Sequence, residues 1–137
     1  MPQQPDSATR KSLNTIDDSL EGRKLRVAGR VLAYDAPTGL VVLIDKGHGL
    51  LVDVELSLGD GAESAVWVTE RLSTIMVIGH LERTPAPLPM PAAMPANAGR
   101  VKLNRKLVLR AILVVPTPDL DLALWNSVLQ DEERERH

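Results

Sequence analysis

Leu25-Arg26-Val27-Ala28-Gly29-Arg30-Val31-Leu32-Ala33-Tyr34 is the stretch that decides the fold. Apolar and polar residues alternate through it with a period of two, the pattern of a strand with one buried face. Leu25, Val27, Gly29, Val31 and Ala33 fall on one side; Arg26, Ala28, Arg30, Leu32 and Tyr34 fall on the other. The glycine in its middle marks a place where the strand coils too sharply for a side chain. Downstream, Asp35-Ala36-Pro37-Thr38-Gly39 reads as a turn, with proline presetting φ and glycine able to take a positive one. Leu40 to Asp45 reads as a second strand, apolar on both faces, and Lys46-Gly47-His48-Gly49 as a tight turn. Leu50 to Leu58 reads as a third strand in which Leu51, Asp53, Glu55 and Ser57 make up one polar face.

The same reading extends to both ends of the chain. Residues 1–19 are polar, Pro-containing and aperiodic, which predicts a disordered tail. Residues 62–72 read as a short helix or an irregular crossing. Ser73 to Arg83 alternates again and gives a fourth strand. The segment 84–99 carries five of the ten prolines and predicts a long loop with no core of its own. Val101 to Val115 gives a fifth strand, bent at Asn104-Arg105-Lys106, and a helix follows over 120–134, capped by Thr117 with Pro118 or by Asp119. With 137 residues there is room for a single core, here placed in residues 20–134. Five strands, a crossing between the third and fourth, and a terminal helix predict an all-β fold: a five-stranded OB-fold barrel with a C-terminal α-helix.

Composition narrows the chemistry. Sixteen Lys and Arg against eighteen Asp and Glu give a net charge of −2, which argues against an autonomous nucleic-acid binder but not against a subunit of one. Cysteine is absent, so there is no disulfide, thiolate metal site or Cys nucleophile. No apolar run approaches the ~18 residues of a membrane span, and the first residues lack a signal-peptide pattern; a soluble intracellular chain is expected. His48, His80 and His137 are scattered without ligand spacing, so no metal and no cofactor are expected. Asp53 and Glu55 lie two apart on one strand face, more in keeping with a solvated edge than with an acid pair. No catalytic motif is present, and the expectation is a protein that is not an enzyme.

Two features favour binding. On the outer face of the first strand Arg26, Arg30 and Tyr34 recur at even spacing, an arrangement that stacks a base on the ring while the cations meet phosphates. Lys102 and Arg105, with Lys24, Lys106 and Arg110, add charge along the fifth strand. The alternative for this face is ordinary surface charge with Tyr34 capping the barrel. The second feature is the terminal helix, where Leu120, Leu122, Leu124, Trp125, Val128 and Leu129 sweep an arc of about 200°, wider than one packing surface needs. Leu120, Leu124, Trp125 and Val128 are therefore expected to divide between the barrel and a partner protein, with Trp125 as anchor.

The run from Leu25 to Asp35 resembles the first strand of the Ten-one family, the smallest subunit of the telomeric CST complex. Met76-Val77-Ile78-Gly79-His80-Leu81-Glu82 is similar to that family's V-x-G-x-L/V stretch. Leu109 to Val115, leading into Asp119-Leu120-Asp121-Leu122-Ala123-Leu124-Trp125, is similar to its closing strand and helix. The resemblance implies one OB-fold pairing with the Stn-one subunit through terminal helices, alongside the large CST subunit. It also implies contact with single-stranded telomeric DNA, indirect work with polymerase α–primase, and a place in the nucleus at the chromosome's telomere. Gly29-Arg30 and Pro37-Thr38-Gly39 also resemble the small subunit of replication protein A. A protein-binding adaptor that never touches DNA is the third possibility.

Overall fold

The structure is a computed structural model that describes residues 8–58, 73–89 and 101–135. The elements are β1 (Thr9–Arg10), two 3-10 turns at Leu13–Thr15 and Asp18–Leu20, β2 (Lys24–Asp35), β3 (Leu40–Asp45) and β4 (His48–Asp53). After them come the one-turn helix α1 (Glu55–Leu58), β5 (Thr74–Arg83), β6 (Leu107–Pro116) and α2 (Leu122–Glu135). β2 pairs antiparallel with β3 through its second half and with β5 through its first; β3 pairs with β4, and β5 with β6. A parallel pairing of β4 with β6 closes the ring. Five strands in the order β2-β3-β4-β6-β5 and back to β2 make the barrel of the OB-fold.

Inside it, Leu25, Val27, Val31, Leu43, Ile75 and Val77 meet with Val52, Leu81 and Leu109 in one aliphatic core. The β3–β4 hairpin turns on two residues, Lys46 and Gly47, both with positive φ as a type I′ turn requires, so β4 begins at His48, two residues earlier than its sequence suggests. Gly79 lies where β6 bulges. A Cβ there would sit 2.3 Å from the Arg110 carbonyl oxygen, so only glycine lets the two strands approach.

Four expectations need correction. The tail expected over 1–19 is structured from residue 8. Leu13 is buried at the barrel's end, 3.2 Å from where a Gly29 Cβ would be, and Asp17 accepts from the backbone and hydroxyl of Ser19 to cap the second 3-10 turn. The third strand stops at Asp53 rather than Leu58, because Asp53 Oδ1 accepts the Glu55 N–H and starts α1 instead. β4 has no wholly polar face either: Leu51 is buried on the outside of the barrel with Leu40, Val42 and Val108, under Leu88 and Leu103. The bend expected in the fifth strand is a full break. Asn104 turns the chain by accepting from Lys106 and Leu107, and only Lys102 makes a bridge to His48 before β6 begins. The crossing at 62–72 and most of the Pro-rich segment lie outside the described residues.

Candidate partner and nucleic-acid interface

α2 starts one residue after Asp121, whose Oδ1 accepts the Leu124 N–H and whose carbonyl accepts the Trp125 N–H. This is the N-cap, in place of the expected Thr117 or Asp119. The helix is tied to the body by Asn126 Nδ2 donating to Asp45 Oδ2 at 2.6 Å and by an Arg10–Glu132 ion pair. Its apolar arc is split. Leu122 and Leu129 are only 7% and 6% exposed, whereas Leu124 and Val128 are 61% and 43% exposed. At 100° per residue Trp125 falls between the two groups, about 60° from Leu122. Trp125 is half-buried, and its enclosed indole Nε1 finds no acceptor among the described residues. Leu120, Leu124, Trp125, Val128 and Arg10 rim an apolar cavity of about 260 Å³.

The basic residues expected to form one face are dispersed. Val31 pairs with Leu43 and Ala33 with Val42, so Leu32 is an extra residue bulged out of the ladder. Beyond it the strand's faces are exchanged: Tyr34 sits opposite Val41 and packs on the inner core. The ring therefore does not share a surface with Arg26 and Arg30. Arg30 is exposed, while Arg26 lies beside Arg10 on β1 with its Nε enclosed and unpartnered among the described residues. Arg110 is engaged in a network with Glu82 and Asp53, and hydrogen bonding to Glu82 holds its guanidinium above the ordinary arginine value.

Lys102 and Arg105 come together elsewhere, with Lys106 as expected and with residues from other parts of the chain. They border an open cleft of about 630 Å³ at the end of the barrel, together with Lys106, His48, Asn14 and Asn104, over a floor that includes Leu50, Leu103 and Leu107. Arg105 Nε donates to the Leu88 carbonyl at 2.7 Å, and the Leu88 N–H returns a bond to the Arg105 carbonyl. Lys102 is held by backbone bonds to Gly47 and Gly49 on the β3–β4 hairpin. The signal for this cleft lies in the turn residues Lys46-Gly47 and Asn104, which bring His48 and Lys102 side by side. Among the described residues, no group of three or more His, Cys, Asp or Glu side chains is placed to hold a metal ion, and no helix is long and apolar enough to cross a membrane.

No protein-family model matches the sequence, and no curated protein matches it. Solved structures do. A chain in the crystal structure of the S. pombe Stn1–Ten1 complex superposes with a TM-score of 0.64 at 19% identity, covering 97% of this chain and 98% of that one. The telomere capping protein Ten1 from S. pombe gives 0.61 at 18% identity, over 93% and 99%. In fold, the chain is Ten1-like. A putative aspartyl-tRNA synthetase from Leishmania major gives 0.57 at 13% identity, but there the match covers 88% of this chain and only 23% of the other. The barrel is thus one domain of the synthetase and nearly the whole of the two S. pombe chains.

Proposed function

We propose that this chain is the small, non-catalytic OB-fold subunit of a telomere-capping complex, acting in the nucleus at chromosome ends and pairing with a Stn1-type OB subunit through α2. The observation that carries this reading is the end-to-end likeness to a chain of the Stn1–Ten1 complex, over 97% of one chain and 98% of the other. The outward face of α2 supports it. Leu124 and Val128 present apolar surface next to a tryptophan whose N–H has no acceptor among the described residues, and such residues at an interface centre carry much of the binding energy. The large CST subunit, single-stranded telomeric DNA and, indirectly, polymerase α–primase follow as partners of the assembly. DNA contact is a secondary contribution of this subunit, because Tyr34 is turned into the barrel and supplies no stacking platform beside Arg26 and Arg30.

Affinity purification of the tagged chain from native nuclei, read by mass spectrometry, tests the reading. A Stn1-type subunit should co-purify with it. Recovery of the larger replication protein A subunits in its place would overturn it.

A further inference from the structure

The cleft at the barrel end differs in charge from the rest of the molecule. The chain as a whole is slightly acidic, at −2, yet Lys102, Arg105 and Lys106 converge on one cavity and none of its described lining residues is acidic. A concentration of one sign of charge over low-dielectric walls focuses the field and attracts the opposite charge. The cavity, at about 630 Å³, has the size of sites that take small molecules or single nucleotides. Its floor is aliphatic, and Asn14 and Asn104 on its rim offer side-chain amides that both donate and accept. The cationic edge is also fixed in place. Lys102 is anchored through its backbone to the hairpin, and Arg105 through its Nε bond to the Leu88 carbonyl.

We infer that this cleft is the chain's nucleic-acid contact, taking the phosphodiester backbone of a single strand on Lys102, Arg105 and Lys106 and an unstacked base against Leu103, the partly exposed leucine of its lining. The inference deepens the reading of the chain as part of a DNA-binding assembly and places the contact away from the outer face of β2. Double-stranded nucleic acid fits the site less well, because its bases are stacked and cannot enter the cavity.

The test uses the ¹⁵N-labelled full chain and a mixed-sequence single-stranded DNA of 18 nucleotides, followed by amide shifts, with anisotropy for affinity. Shifts should concentrate at His48 to Leu50 and Lys102 to Leu107. The double substitution Lys102→Glu with Lys106→Glu should weaken binding roughly tenfold or more, the loss of at least one charge-assisted contact. It should also flatten the salt dependence by about 1.4 in log–log slope for two phosphates. Shifts elsewhere, or an affinity indifferent to the substitutions, would overturn the assignment. So would equal binding of the duplex, of inorganic phosphate or of polyglutamate, each of which would mark the cleft as a general anion site. Capture of the Stn1-type partner by the same double variant is measured in parallel and should be unchanged. If the unsubstituted chain captures no such partner while the cleft shifts persist, the pairing falls and the cleft stands.

Discussion

Leu32 supplies one residue more than the pairing of β2 with β3 uses, and the strand absorbs it as a bulge that turns Tyr34 inward. The ring then packs on the barrel core, so its removal acts on stability. Tyr34→Ala should lower the unfolding free energy by about 2–4 kcal/mol in urea titration, below the full range for a wholly buried aromatic because Tyr34 keeps some exposure. Partner capture at a temperature where the variant remains folded should be unaffected. At Gly79 the constraint is steric, since an added Cβ would lie 2.3 Å from the Arg110 carbonyl oxygen. Gly79→Ala should cost about 1–3 kcal/mol, seen as a fall in the thermal midpoint. Alternation alone could not reveal the bulge. Leu32 and Ala33 are both apolar, so the sequence reads acceptably in either phase across that point, and only the partner strand fixes which phase holds.

α2 shows what a helix gains from each end of its sequence. Asp121 satisfies one of the otherwise orphan N–H groups of the first turn, and Asp121→Ala should cost about 1 kcal/mol, measured by thermal unfolding. The division of the apolar arc sets the second expectation for this element. Leu124→Glu places a charge on a face that is 61% exposed in the free chain, so the chain should keep its circular dichroism spectrum and midpoint while losing the Stn1-type partner. Trp125→Ala should weaken pairing by about 2 kcal/mol or more, around thirtyfold, and also shift the midpoint slightly because the ring is half-buried. The helix and the width of its apolar arc were legible from periodicity. The capping residue was not, since Thr117, Asp119 and Asp121 are all competent caps and the turn made by Leu120 N–H to Thr117 O decides among them.

At the scale of the molecule, the five barrel strands could be read because each buries an alternating or fully apolar run. The N-terminal segment could not. A lone leucine among polar residues has no period, yet Leu13 fills the barrel end that Gly29 leaves open. Leu13→Ala should therefore destabilise the domain by about 2–4 kcal/mol by equilibrium unfolding, as loss of a core side chain does. The basic cleft was legible only in part. Lys102, Arg105 and Lys106 stand in one stretch of sequence, but His48 comes from another, and the hairpin turn and the break before β6 bring it beside them.

The parallel seam between β4 and β6 has a consequence in time. Asp53 and Arg110, which face each other across it, are 57 residues apart along the chain, whereas the β3–β4 hairpin closes over a two-residue turn. Contacts between distant residues carry the larger loop-closure entropy, and chains dominated by them fold slowly. The hairpin should therefore form early and the seam last, after the rate-limiting step. Leu109→Ala, on the β6 side of the seam and outside the hairpin, should chiefly accelerate unfolding in stopped-flow chevrons and leave the refolding limb almost unmoved. Val41→Ala in the hairpin should slow refolding. A refolding limb that slows for Leu109→Ala by the full stability change would place the seam in the nucleus instead.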